Sequence, residues 1–282
     1  MLEISLLQPI DYLVVGHLTV DDAPGGARLG GTAAYAALTA KALGLRVGVV
    51  TAFGGELSLR PLGDIPVVSF PAERSTTFEN EYLNGKRQQY LRHQAPKLEY
   101  YQIPEPWRTA NIVHLAPVAQ EVEPGMVRNF PAALIGLTPQ GWLRDWDARG
   151  RVHSVEWLEA AFVLERAGAA VISLEDVDED ENRVDELAAH CRLLAVTEGE
   201  LGARLYWHGD VRRFRAPAVE LADATGAGDI FAAAFFTRLF LTRDPWDAAR
   251  FATQLSAISV TRVGLESIPT PEEINASLVE VF

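Results

Sequence analysis

The sequence predicts an α/β protein: a three-layer α/β/α sandwich on a mostly parallel central sheet, with a small β lid set into it. Three observations predict this. Short β-branched runs alternate with alanine-rich helical runs along the chain. One Asn-Gly pair joins two β-prone runs where that alternation breaks. A glycine-rich turn near the C-terminal end opens directly into an apolar stretch.

The elements follow in order. Asp11–Val15 is a short β-branched run and reads as a buried strand. From Gly30 to Leu43 the chain is rich in alanine (Ala33, Ala34, Ala36, Ala37, Ala40), and Gly44 stops the helix expected there. Arg46–Thr51 reads as the next strand, and strand-helix-strand order favours parallel pairing. In 75–92, Thr76–Leu83 meets Lys86–Leu91 across Asn84-Gly85, a hairpin expected to serve as the lid over a site. Ile112–Leu115 and Leu134–Leu137 are further strands. Ser154–Arg166 reads as an amphipathic helix with Ser154 as N-cap and an apolar face of Val155, Leu158, Ala161, Phe162 and Leu164. Ala169–Leu174 is a strand running into the acidic stretch Glu175–Glu181. Leu193–Val196 is another. Ala203–Trp207 and Val211–Phe214 flank His208-Gly209-Asp210 as a hairpin, and Asp247–Thr261 reads as the last core helix.

Composition bounds the function. With 282 residues, 48% of them hydrophobic, the chain can bury one large core, and residues 1–282 read as a single domain. A net charge of −13 without a Lys/Arg run argues against nucleic acid as a partner. Cys191 is the only cysteine, so no internal disulfide forms and a reducing compartment fits. Met1–Ser5 lacks the basic start of a secretory signal and no stretch reaches membrane-spanning length, so a soluble, cytoplasmic protein with no membrane partner is expected.

The chemistry concentrates in Asp223-Ala224-Thr225-Gly226-Ala227-Gly228-Asp229. A glycine-rich turn at a helix start aims backbone N–H groups at one point, and the helix dipole adds positive charge there. The N–H groups of Gly226, Ala227 and Gly228 are expected to form this anion hole. A carboxylate beside an anion hole repels the anion, so Asp229 needs a task. The task that fits is a general base, taking the proton of a hydroxyl as its oxygen attacks a phosphoryl group. The competing reading is a tight turn with Asp229 as a helix cap. The Walker A pattern does not occur. Asp21 is the second carboxylate of interest, because an ionised carboxylate accepts from two vicinal hydroxyls. Its competing reading is a turn residue ahead of Ala23-Pro24-Gly25-Gly26. Gly30 and Gly31 would let an acceptor approach the backbone closely. The six histidines show no metal spacing. His17 lines the pocket or packs at a strand end, and Lys86, Arg87 and Arg144 touch a ligand or are surface charges.

These segments resemble the ribokinase-like (PfkB) carbohydrate kinase family. Asp223–Asp229 resembles its D-T-x-G-A-G-D signature, and Val14–Asp21 its first strand ending in a substrate aspartate. Gly30-Gly31-Thr32-Ala33-Ala34-Tyr35 resembles G-G-N-x-x-N, and Thr197-Glu198-Gly199-Glu200-Leu201-Gly202 the T-x-G-x-x-G nucleotide loop. The four blocks keep family order over nearly the whole chain. The resemblance implies an ATP-dependent kinase of a sugar or polyol, with Asp21, Gly30, Gly31 and Tyr35 on the acceptor. It implies Thr197, Gly199, Gly202 and Thr225 on the nucleotide, and Ala252, Thr253 and Ser256 beside adenine. It implies Mg²⁺ near an N-x-x-E segment, here Ser173-Leu174-Glu175-Asp176, so the asparagine is missing and Glu175, Asp176 or Glu179 would serve. It implies a monovalent cation such as K⁺ at Asp223 and Thr225, completed by Gly264 and Ser267, and a homodimer through the lid. Thr32, Tyr35, the short segment after Phe53-Gly54-Gly55 and Ser75-Thr76-Thr77-Phe78 are similar to the myo-inositol kinase branch. Alternatives stay open: a kinase of a nucleoside, ribose or fructose, a donor such as ADP, or a sugar- or nucleotide-sensing protein without turnover.

Overall fold

The structure, a computed structural model, describes residues 7–22, 26–83 and 86–278. Strand β1 (Tyr12–Val15) is followed by β2 (Thr19–Asp22), β3 (Arg28–Gly30), helix α1 (Thr32–Ala42) and strand β4 (Val47–Phe53). Then come β5 (Val67–Pro71) and the hairpin strands β6 (Thr76–Leu83) and β7 (Lys86–His93). Strands β8 (Ile112–Leu115) and β9 (Leu134–Leu137) precede the short pair β10 (Arg144–Trp146) and β11 (Val152–Ser154). Helix α2 (Ala160–Leu164), β12 (Ala169–Ser173), α3 (Glu181–His190) and β13 (Leu193–Thr197) lead to β14 (Ala203–Trp207) and β15 (Asp210–Phe214). Helices α4 (Ala227–Thr242), α5 (Pro245–Ser259) and α6 (Pro271–Leu278) follow.

The main sheet has nine strands in the order β15-β14-β13-β12-β9-β8-β1-β4-β5. The pairs from β5 through β13 are parallel, and only β14 runs against the others, so its pairs with β13 and β15 are antiparallel. Strands β1, β4 and β8 are buried at every position because both faces of the sheet are covered. Alternation still sorts them. Tyr12 and Val14 join the core beneath α1, α4 and α5, while Leu13 and Val15 join the core on the opposite face. Ala169 and Val171 of β12 face the first core, Ala170 and Ile172 the second. Helix α4 is buried along Ile230–Thr237, which explains an apolar sequence with no polar stripe. The expected three-layer α/β/α architecture is therefore present.

A second sheet, β3-β2-β6-β7, stands apart from the first. The sequence predicts only its β6–β7 hairpin. The structure adds β2, parallel to β6, and β3, antiparallel to β2. The turn at Asn84-Gly85, the residues Ala23-Pro24-Gly25 and the side chains of Lys86 and Arg87 lie outside the described residues.

One element departs from expectation. Ser154–Arg166 is not a continuous helix, and helical structure there is confined to α2. Ser154 ends β11, paired with Arg144, and its hydroxyl donates to the Asp176 carbonyl and accepts from Arg183. Trp157 turns inward and stacks on Trp142 at 5.0 Å, while Leu158 points to solvent. Local tertiary bonds and one aromatic stack thus override helical periodicity.

Candidate active site

The parallel strands end on one side of the sheet, and the chain segments leaving them carry the site. Four segments contribute: the turn into α4, the link from β1 to α1, the loop after β9 and the turn after β12.

Gly226 is the N-cap of α4 and adopts φ 82°, the left-handed region that glycine tolerates. The ring of Tyr35 fills the position a Cβ on Gly226 would take, 2.3 Å from its Cδ1 and Cε1. Any larger residue would displace either the turn or that ring. The Ala227 N–H donates to the Ala224 carbonyl within the turn, which removes it from the expected anion hole. The N–H groups of Gly226 and Gly228 have no backbone partner among the described turn and cap bonds, and space beside Gly228 is open.

Asp229 sits in the first turn of α4, partly buried. Burial lifts its carboxyl to about 7, a hydrogen bond with Thr32 acts against the rise, Asp176 and Asp21 add to it and Arg144 opposes it. Thr32 is the first residue of α1, directly after the Gly31 N-cap. The N-terminal ends of α1 and α4 therefore meet at this carboxyl.

Asp21 lies on β2 and accepts from the Thr19 hydroxyl at 2.9 Å. Its carboxylate occupies the space above Gly30, where a Cβ would come within 2.2 Å of Oδ2. Gly30 is thus required by the aspartate as much as by an approaching acceptor. Tyr35 is only 2% exposed. Burial raises its phenol well above the ordinary tyrosine range, reinforced by Asp21, Asp229 and Asp223. The ring is the floor between the two carboxylates and the turn.

Asp176 is the third residue of a short 3-10 turn, Leu174–Val177, closed by Ser173 in a capping box. Its Oδ2 accepts from the Ser173 N–H at 2.8 Å and its Oδ1 from Gln140 at 3.2 Å. Burial raises its carboxyl and Arg144 opposes that rise. Glu175 and Glu179 are exposed. No group of three or more metal-ligating side chains occurs among the described residues.

Asp223 accepts from the N–H groups of Thr225 at 2.9 Å and Gly264 at 3.2 Å, and these bonds hold its carboxyl below the usual range against the opposing effect of burial. Ser267, in the turn that begins at Gly264, has a buried hydroxyl with no hydrogen-bond partner among the described residues.

Thr197 ends β13, and Gly199 and Gly202 flank a 3-10 turn with φ 57° and 99°. Ala252 and Thr253 do not line a cleft. Both are buried in the packing around α5, and the Thr253 hydroxyl donates back to the Ala249 carbonyl. Ser256 is partly exposed and donates to the Ala227 carbonyl at 3.0 Å, tying α5 to the glycine turn.

Two side chains matter more than the sequence indicates. Thr32 bonds the Asp229 carboxyl only because α1 and α4 converge. Arg144, read above as a surface charge or ligand contact, is 8% exposed and acts on both Asp176 and Asp229. His17, by contrast, is a packed residue: its ring bonds Thr76 at 2.6 Å and the Pro96 carbonyl at 2.9 Å.

Comparisons with known proteins bear on this geometry. Residues 157–273 match the pfkB family carbohydrate kinase profile. A cytidine kinase of Thermococcus kodakarensis is 26% identical over 253 residues, 80% of this chain and 87% of that protein. An inositol 3-kinase of Oryza sativa subsp. japonica is 44% identical over 71 residues, 25% of this chain and 18% of that protein. A pyrophosphate-dependent kinase of the ribokinase family superposes with a TM-score of 0.78 at 19% identity, covering 94% of this chain and 99% of its own. That likeness establishes the ribokinase-like fold.

Proposed function

From the pfkB family carbohydrate kinase match over residues 157–273 and the ribokinase-like fold, we propose that the chain transfers the γ-phosphoryl group of ATP to a hydroxyl of a sugar or polyol. One observation carries this reading: a carboxyl at the mouth of a glycine-capped helix, held by Thr32 and lifted to about 7. That is a base matched to neutral pH beside a ready-made oxyanion site.

The acceptor lies between Asp21 and Asp229. Asp21 accepts from its hydroxyls and fixes which one faces the base. Asp229 takes that hydroxyl's proton as its oxygen bonds to the γ-phosphorus, and the bond from phosphorus to the β–γ bridging oxygen breaks, releasing ADP. The Gly226 and Gly228 N–H groups bind the charge on the transferring group. Thr197, Gly199, Gly202 and Thr225 border the donor, with Ser256 as the α5 residue within reach. Mg²⁺ fits at Asp176, since this cation takes one or two carboxylates and completes its shell with phosphates and water. When bound, it neutralises donor phosphate charge. K⁺ fits at Asp223 and Thr225, where the unpartnered Ser267 hydroxyl is an additional oxygen. The compact floor made by Tyr35, together with the inositol 3-kinase likeness, favours a cyclic polyol as acceptor. The four-stranded sheet is the lid, and in a homodimer it is the contact surface. No helix among the described residues is long and apolar enough to cross a membrane.

The test is phosphoryl transfer from ATP, and in parallel from pyrophosphate, to a panel of cyclic polyols, sugars and nucleosides. Turnover of inositol with ATP is expected. Turnover of nucleosides alone would overturn the acceptor, and pyrophosphate alone the donor. No turnover with either donor would leave a sensing protein. Asp21→Ala is expected to raise the acceptor KM at least about tenfold, as for lost bonds to charged groups, with the ATP KM unchanged. An unchanged acceptor KM removes Asp21 from the pocket. The base must be ionised to act, so kcat/KM is expected to rise through a midpoint near 7, the value to which the Asp229 carboxyl is lifted. A midpoint near 4 would mean that the base is an ordinary carboxylate.

A further inference from the structure

Arg144 is buried at the junction of three parts of the molecule. Its Nε donates to the Gln140 carbonyl at 3.2 Å, on the turn after β9. Its Nη1 donates to Gln89 Oε1 at 2.8 Å, on β7 of the second sheet. Its guanidinium also lies over the Phe78 ring of β6, 5.6 Å from the centroid. Gln89 is held for this contact by donating its own amide to Asn80 at 3.1 Å. On the other side, the Gln140 side chain donates to Asp176. A continuous chain of bonds therefore runs from β7 through Arg144 to the acid at the end of β12.

The segment carrying Arg144 is fastened to the second sheet along its length. The Leu91 N–H donates to the Gly150 carbonyl at 2.8 Å, Arg151 Nε to Gln88 at 2.8 Å, and Arg92 to the Arg149 carbonyl at 3.2 Å. The β10–β11 hairpin is thus bonded to β7 around its turn, while the residues at its base, Arg144 and Ser154, are bonded to the turns that follow β9 and β12.

Resting on the kinase reading, we propose that Arg144 is a positioning residue that links the seating of the four-stranded sheet over the acceptor to the alignment of Asp229 and Asp176. When β7 is seated, Gln89 holds the guanidinium against the acids. When β7 lifts, the second anchor is lost and the cation moves away from them. Chemistry is thereby confined to the covered state, where the acceptor hydroxyl rather than water meets the base.

The experiment compares Gln89→Met, Arg144→Met, Arg144→Lys and the Gln89→Met/Arg144→Met double variant in steady-state kinetics on the intact chain. Arg144→Met is expected to lower kcat by roughly tenfold to a hundredfold, the scale of a misaligned group, with acceptor and ATP KM within about threefold. Gln89→Met, which touches no reacting atom, is expected to lower kcat by about fivefold, and the double variant no further than Arg144→Met alone. Arg144→Lys restores only part, because lysine cannot keep both anchors. A Gln89→Met variant with normal kcat, or fully additive effects, overturns the proposal. So does an Arg144→Met variant whose main defect is a raised ATP KM, which makes Arg144 a phosphate ligand. A purely structural role would lower the melting temperature and leave kcat of the folded protein and its split from KM unmoved. Amide hydrogen exchange across β7 gives a readout independent of turnover. It is expected to quicken in Arg144→Met, and unchanged exchange overturns the tether. If the wild-type chain phosphorylates nothing, the kinase reading fails while the exchange result still decides the tether.

Discussion

Replacing Asp229 with asparagine is expected to lower kcat by at least about a hundredfold, the scale of losing a general base. The amide matches the carboxyl in size and can still accept from the Thr32 hydroxyl, so the α1–α4 junction is kept. It cannot take a proton. The groups proposed to bind the phosphoryl charge are backbone N–H groups at Gly226 and Gly228, which the substitution leaves in place. The ATP KM should therefore stay level or fall, because a negative charge beside the phosphates has gone. Steady-state kinetics at pH 8 make the check. A kcat within about fivefold of wild type would show that another group accepts the proton.

Acidification of the same variant is expected to expose a second buried group. His114 is fully buried on β8 between the Tyr12 hydroxyl at 3.0 Å and the Thr138 hydroxyl at 2.9 Å, with Phe236 packed edge-on at 5.0 Å. Burial lowers its pKa from 6.5 to about 3. Between those values the unfolded chain binds a proton that the folded chain refuses. Stability is intact above pH 6.5 and falls by about 1.4 kcal/mol per pH unit as pH drops toward 3. Asp229 works in the opposite direction. Its carboxyl, lifted to about 7, is protonated more readily in the folded chain, so acidification from 7 toward 4 adds stability. The wild type should consequently show a nearly flat stability between pH 6.5 and 4.5. Asp229→Asn removes this offset and leaves only that of the raised Asp176 carboxyl, so the variant should lose up to about 2.7 kcal/mol over those two units. It should also be more stable than wild type at pH 8. Urea unfolding across the pH range decides it, and parallel profiles for the two proteins would refute the account.

Much of this site is legible in the sequence because it depends on local backbone geometry. Gly226 and Gly228 before an apolar run fix the start of α4 wherever that helix packs. Strands β8 and β9 fall where the sequence places them, at short apolar-rich runs. What is not legible depends on which side of an element turns toward what. Ala252 and Thr253 lie on a helix covered on several sides, and composition does not distinguish its buried faces from a cleft-lining one. Strands β2 and β3 are short, and β2 carries two aspartates, so they resemble a loop until β6 pairs with them. Arg144 follows Trp142 and Leu143 with nothing local to mark it as buried, since its partners Gln89 and Phe78 lie more than fifty residues away. Thr32 had a signal, its place in the double-glycine block, but its bond to Asp229 exists only once two distant helix ends meet.

The two open borders of the nine-stranded sheet have a consequence for the protein in a crowded solution. An unpaired strand offers its free N–H and C=O groups to any extended chain that meets it. Here one border strand, β15, presents Arg212 and Arg213 in an exposed run, with Arg212 lying 4.0 Å over the Trp246 ring. The other, β5, ends in Pro71, which has no N–H to give. A second copy approaching edge to edge would meet like charge at one margin and a missing donor at the other. Edge-to-edge extension is thus opposed at both margins, although neither is paired with another strand among the described residues.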